Sequence, residues 1–432
     1  MFNILGSTQK FCDGVTRRSF LKIGAFGAGL TLADMLRAKA FATTPGANAS
    51  GSPTTNKSAI MIYLPGGPSH MDMYDLKPDA PTEYRGEFRP IQTNVPGVQI
   101  CEHMPRQARM WDKLACVRSI VSVDEHSDSL VMTGHSEGSN RTTHHPSFGS
   151  VVSRLRGNAS GDIPPFVSLR GQSIGCEPGY LGVAHRAFTP QGPGMSDLSL
   201  AGGINVDRNH DRRSLLTNFD TARREVDASG TMRGMDTFTQ RAFDMVASGT
   251  TRKALDLSNE EARTRDRYRG IESFLTARRL VESGVGCVTL AYGGWDTHDR
   301  NFIQLRNQLP DLDRGIANLV QDLHDRGMDR DTVVIVWGEF GRTPRINSNM
   351  GGRDHWGPVM SCMIAGGGLK MGQAVGSSSA RGEVPRDRRC TASQVLSTVY
   401  RAMGIDTSMT FPNGSGRPMY ILDDREPVSE LL

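Results

Sequence analysis

The sequence predicts an α/β protein built on a doubly wound, mostly parallel sheet flanked by helices, with a mainly helical insertion. Three observations carry this expectation. Short apolar runs recur at 59–64, 114–117, 166–169, 285–292, 332–337 and 360–365, each bounded by Gly, Pro or charged residues. Such near-continuous runs mark strands buried on both faces. Helical spacing separates several of them, and residues 205–283 are charge-dense with helical spacing and no strand-like run. With 432 residues, 37% hydrophobic and 22% charged, the chain is long enough for one large domain or two ordinary ones.

The first segment, 1–42, reads as an address. Thr16-Arg17-Arg18-Ser19-Phe20-Leu21-Lys22 precedes an apolar, Gly-rich run over 23–36, and Ala38-Lys39-Ala40 and Ala40-Phe41-Ala42 offer small residues for a signal peptidase. This resembles a twin-arginine export signal, which implies the twin-arginine export machinery as a partner and a periplasmic or otherwise extracytoplasmic home. The run falls short of the roughly 20 residues that span a bilayer, so no stable membrane span is expected after processing. The leader also carries the excess positive charge of a chain whose net charge is +4. The balanced remainder has no long-range field for nucleic acid. Six cysteines follow Cys12 without CxxC spacing, too few for a disulfide scaffold.

Residues 43–58 are rich in Ser, Thr, Gly and Pro and read as a flexible linker. The α/β domain is expected over 59–425, with 205–283 as its helical insertion. Within it, Leu312, Ile316, Leu319, Val320 and Leu323 place one apolar stripe on a helix over 310–326, closed by Gly327. Thr391 to Gln394 has the form of a capping box that opens a helix through Val395, Val399 and Met403, which Gly404 stops. Strands alternating with helices in the last third predict βαβ organisation.

His, Asp and Glu concentrate in loops after the strands, where open parallel sheets put their sites. The loops read PGGPSHMDMYD at 65–75, GGWDTHD at 293–299, GEFGRTPR at 338–345 and GRDHWG at 352–357. Asp296, His298, Glu339, Asp354 and His355 form a mixed oxygen and nitrogen set that suits a divalent metal, Zn²⁺ or Mn²⁺ better than Mg²⁺ or Ca²⁺. Singly, each reads more readily as a surface turn or a salt bridge, and it is as a set that they favour a metal. A second cluster holds four histidines, His126, His135, His144 and His145, of which the adjacent last two are poorly placed to share an ion.

Several motifs resemble the domain-of-unknown-function 1501 family of the alkaline-phosphatase-like superfamily: LPGGPSHMDMYD, KPDAPTEYRGEFRPI, GGWDTHD, LDRGIANLVQDL, TVVIVWGEFGRTPRIN, GRDHWG and AGGGLKMG. The resemblance implies metal ligands beyond the strand ends. Asp296 and His298 take the place of a metal-binding pair, Glu339 stands where most members have the Asp of an Asp-His-Gly motif, and His355 with Asp354 resembles the last metal histidine. Phe340 replaces the motif's His, and Gly66-Gly67 replace the first strand's Asp, leaving Asp72 as nearest substitute and His126 as a further ligand candidate. A count back from Thr133-Gly134 to the superfamily nucleophile lands on Asp124, with the hydroxyls of Ser127 and Ser129 nearby.

The reading that follows is an exported metal-dependent hydrolase of phosphate or sulfate esters on small molecules or glycans, with Arg342 neutralising an ester oxygen. The alternatives are a non-catalytic surface or glycan-binding protein on the same fold, and a serine esterase using Gly134-His135-Ser136-Glu137-Gly138, which requires a strand before the serine and a helix after it.

Overall fold

The computed structural model describes residues 57–157, 163–190 and 249–432. The expected export signal of 1–42, most of the expected linker and the 205–248 part of the expected insertion lie outside these residues. Eight strands form the central sheet: β1 (Ser58–Tyr63), β2 (Leu114–Val121), β3 (Phe166–Ser168), β4 (Cys287–Ala291), β5 (Thr332–Trp337), β6 (Met360–Gly366), β7 (Gln373–Val375) and β8 (Cys390–Thr391). Their order is β7-β2-β6-β5-β1-β4-β3, with β8 also on β2. Every pairing is parallel except those of β6, which runs antiparallel to β5 and β2.

Alternation along each strand divides the core into two layers. Ile60, Ile62, Val288, Leu290, Val334 and Val336 face one apolar cluster, while Ala59, Met61, Cys287, Val333, Ile335 and Trp337 face the other. Helices cover both, so the strands are apolar on both faces, as parallel strands buried between helices must be. Helix α1 (Phe148–Arg156) and the C-terminal α4 (Ala392–Ala402) pack on the second face, and α2 (Glu272–Glu282) and α3 (Asn301–Asp325) on the first. The doubly wound, mostly parallel architecture of the sequence reading is what the chain adopts.

Local details differ where short-range signals compete. Helix α3 begins at Asn301, nine positions before the expected start, with Pro310 inside it. Phe302, Leu305 and Leu309 extend the buried stripe of Leu312, Ile316 and Leu319, and that burial outweighs the hydrogen bond proline cannot make. The capping box at Thr391 and Gln394 is formed as expected. Val428 and Leu431 are buried in the second cluster, so the packed core reaches the last residues. Among the described residues, no helix is long and apolar enough to cross a membrane.

Candidate metal centre

Strands β1, β2, β4 and β5 are mutually parallel and end at one edge, and the loops leaving them carry the candidate residues. β6 runs the other way, so His355, a few residues before its start, reaches the same edge. A two-residue ribbon pairs Arg342 with His355 and Gly341 with Trp356, fixing the loop after β5 against the loop before β6.

At the centre, Asp296 Oδ1 lies 3.0 Å from His298 Nε2 and 3.0 Å from His355 Nε2, and the two imidazole nitrogens are 3.1 Å apart. His126 Nε2 is 3.6 Å from Asp296 Oδ2, and its Nδ1 is 3.0 Å from Glu339 Oε1. One ligand atom each from His126, Asp296 and His355 falls within a 4.8 Å group. Three donors spaced about 3 Å apart resemble a face of the tetrahedron that roughly 2 Å metal bonds require. Glu339 lies alongside: it is buried, its Oε1 accepts the Gly66 N–H at 2.8 Å, and the Tyr63 phenol hydrogen-bonds to its carboxylate.

Each imidazole is oriented by a carboxylate. His298 Nδ1 donates to Asp354 at 2.7 Å, and His355 Nδ1 lies 3.2 Å from Asp124. This leaves both Nε2 atoms aimed at Asp296, the arrangement that fixes the tautomer of metal-binding histidines. Asp354 is held ionised below the usual carboxylate range, chiefly by its hydrogen bond from His298. For Asp296, burial pushes the pKa up, but bonds from Arg342 and His355 overcome this and bring it to about 2. Phe340 lies under the group, its ring 4.3 Å from that of His355.

Gly66 and Gly67 explain how the chain passes beneath Asp296. Both adopt left-handed φ, +95 and +72, and a Cβ would sit 2.5 Å from Asp296 N at Gly66 and 2.4 Å from the Phe340 ring at Gly67. Only glycine fits either position. Their carbonyls are also what Arg342 binds.

Arg342 departs from its expected role. It is fully buried, and its guanidinium donates to the carbonyls of Gly66, Gly67 and Arg353 and to Asp296 Oδ1 at 2.5 Å. All of its nitrogens are engaged by the protein, so it holds Asp296 in place and does not face an ester. Asp72 is also not brought to the group. It is buried in an ion pair with Arg353, 2.8 Å from Nε, and accepts from Ser69 and Asn301.

The two serine hydroxyls are likewise not presented to the group. Ser129 is fully buried and donates to the His135 carbonyl at 3.0 Å, and Ser127 Oγ accepts from Ser129 N. The esterase requirement also fails locally, because residues Ser129–Thr133 before Ser136 are helical and Ser136 Oγ caps the following helix by accepting from Ser139 N. Of the two tryptophans beside the loops, Trp295 is wholly in the core and Trp356 is half-buried.

Thus the structure brings together Asp296, His298, Glu339, Asp354, His355 and His126, with Arg342 as the support of Asp296. Sequence reasoning missed Asp124 as the partner of His355 and Arg353 as the partner of Asp72. Asp124 had a signal, since it begins the acidic run after β2, but no spacing rule identifies a partner so far along the chain.

Comparison with solved structures returns the lipoteichoic acid synthase LtaP from Listeria monocytogenes, with TM-score 0.36 and 10% identity over 86% of this chain and 78% of that one. It also returns Ps i-CgsB in complex with k-i-k-neocarrahexaose, with TM-score 0.38 and 10% identity over 81% of this chain and 72% of that one. No curated protein matches the sequence. The profile of the family described as "Protein of unknown function (DUF1501)" matches residues 56–432, and the chain belongs to that family.

Proposed function

We propose that this protein is an exported, metal-dependent hydrolase of phosphate or sulfate esters, acting on a small-molecule or glycan ester. The observation that carries the reading is the triangle of Asp296 Oδ1, His298 Nε2 and His355 Nε2 with the buried Glu339 carboxylate alongside. Asp296, His298, His355, His126 and Glu339 would hold the ion, and Zn²⁺ or Mn²⁺ suits their nitrogen-rich set. A bound divalent cation supplies Lewis-acid polarisation of an ester oxygen and lowers the pKa of water.

The chain's own residues do the rest. Asp354 and Asp124 fix two imidazoles with Nε2 inward, Arg342 holds the Asp296 carboxylate ionised, and Phe340 excludes water beneath them. The side chains of His126, His298 and Asp296 remain 51%, 44% and 43% exposed, so an ester can approach from solvent.

A second reading, a non-catalytic binding protein, is favoured by one observation: Arg342, Ser127 and Ser129 are all engaged in holding the fold. Purified protein loaded with Zn²⁺ or Mn²⁺ should cleave activated aryl phosphate or aryl sulfate esters, lose this activity to a chelator and regain it on metal addition. Full metal loading without cleavage of either ester class decides for the second reading. Replacing Arg17 and Arg18 together with Lys tests export, since normal export of that variant removes the twin-arginine assignment.

A further inference from the structure

The two segments that deliver the imidazoles and Asp296 are tied together beneath the site by a closed circuit of buried polar groups. Thr297, between Asp296 and His298, donates from Oγ1 to Asn301 Oδ1 at 2.7 Å. Asn301 Nδ2 donates to Asp72 Oδ2 at 2.9 Å. Asp72 accepts from Arg353 Nε at 2.8 Å and from Nη2 at 3.2 Å. The circuit closes where the Arg353 backbone N–H donates to the Thr297 carbonyl at 2.9 Å. None of the four residues is more than 1% exposed. The remaining donors of Arg353 reach the carbonyls of Tyr84 at 2.8 Å, Thr343 at 2.9 Å and Pro344, so its fork is satisfied on every side.

We propose that Thr297, Asn301, Asp72 and Arg353 act as a positioning ring, holding the Asp296/His298 segment and the Asp354/His355 segment at the spacing that metal binding needs. This deepens the proposed function and rests on it. The circuit adjoins both ligand-bearing segments, because Thr297 separates Asp296 from His298 and Arg353 stands two residues before His355. It meets those segments through the backbone, so loosening it changes the His298 to His355 distance directly. Fully satisfied buried networks of this kind specify one arrangement, because breaking any link strands a buried polar group.

The test uses Thr297→Val, which keeps volume and removes one link, and Asn301→Ala, which removes two. Ser69→Ala, which removes a peripheral donor to the Asp72 carboxylate together with the acceptor of the Asp72 backbone N–H, serves as a milder step. Asp313→Asn is the control, since Asp313 is equally buried but receives the backbone N–H groups of Arg106 and Gln107, both at 2.9 Å. In metal-free protein labelled at histidine with ¹⁵N, the ring signals of His298 and His355 should move or broaden in both ring variants, while those of His135 and His145 stay. Zn²⁺ affinity of the same variants should fall about tenfold or more, the usual effect of losing an outer-shell support, and that of Asp313→Asn should not. Unchanged His298 and His355 signals in both ring variants, or equal changes in Asp313→Asn, overturn the proposal. Wild-type protein that takes up no Zn²⁺ sinks the hydrolase reading instead, and the metal-free ring signals still decide the fate of the ring.

Discussion

The protein has two histidine-rich regions, and they are built in opposite ways. In one, His126, His298 and His355 stand tilted or edge-on, with ring centroids 4.6 to 5.3 Å apart, and each turns its Nδ1 to a carboxylate. In the other, His135 and His145 stack face to face at 3.6 Å and 15°, both buried. There the partners are the Tyr180 hydroxyl at 3.3 Å and, more loosely, Asp423 at 3.6 Å. Stacked rings present faces to each other and cannot turn two nitrogens onto one ion. Tilted, partly exposed rings can. Since His135 Nδ1 also faces a carboxylate, Asp423, what separates the candidate ligand set from core packing is the arrangement and exposure of the rings, not the density of histidines along the chain.

The largest effect should come from substitution within the first region. His355→Ala and Asp296→Asn should abolish bound metal, whereas His145→Ala should retain the wild-type content by elemental analysis of the folded protein. Equal content in all three would erase the contrast. Next in size is Arg342→Ala, which leaves Asp296 and three carbonyls without their buried donor. It should cost about 3 kcal/mol or more in stability and release the metal, so a denaturant titration that finds it neutral would show that Arg342 does not support Asp296.

Mild acid should act through buried histidines, His145 in the second region and His70 outside both. Burial holds His145 down to about 4, helped by the neighbouring His135, and burial likewise holds His70 at about 4. Both folded-state values lie below the 6.5 of the unfolded chain. Their contribution is thus complete above pH 6.5 and declines as pH falls towards 4, because the unfolded state takes up the protons first. For His70 alone the loss is roughly 3 kcal/mol. Asp296, held at about 2, keeps its contribution through that window and yields it only as pH falls from about 4 towards 2. His145→Gln should flatten the melting-temperature profile between pH 6.5 and 4, and an unchanged slope would clear the stacked pair of any part in it. The smallest effect expected is that of Ser136→Ala, about 1 kcal/mol for a lost N-cap, with metal content and ester hydrolysis untouched. Loss of hydrolysis in that variant would revive the esterase alternative.

Much of this was legible in the sequence because parallel strands obey a local rule with a global result. Continuous apolar runs place the strands, and loops after parallel strands share an edge, so Asp296, His298, Glu339 and His355 read as one set despite their separation. The illegible parts depend on partners far along the chain. Arg342 has the chemistry of an anion binder, but its surroundings are the carbonyls of Gly66 and Gly67, exposed by a turn that only glycines make. Asp72 looks like a substitute ligand until Arg353 claims it. Residues 129–133 are too short and apolar for periodicity to tell strand from helix. The helix is settled by its environment, with Gly134 closing it at φ +82.

The place of β2 in the sheet has a consequence for how the molecule assembles. β1 waits for β4 and β5, and among the described residues β2 waits longer, pairing with β6, β7 and β8, all from the last part of the chain. More than half the chain separates β2 from the start of β6, and loop closure over that distance comes late. During synthesis, the segment bearing Asp124 and His126 has no strand to join until residues 360–391 have emerged. The edge that gathers the imidazoles is therefore completed only when the chain is nearly finished, and a nascent or C-terminally truncated chain holds Asp296, His298 and Glu339 without a docked His126, which faces both carboxylates.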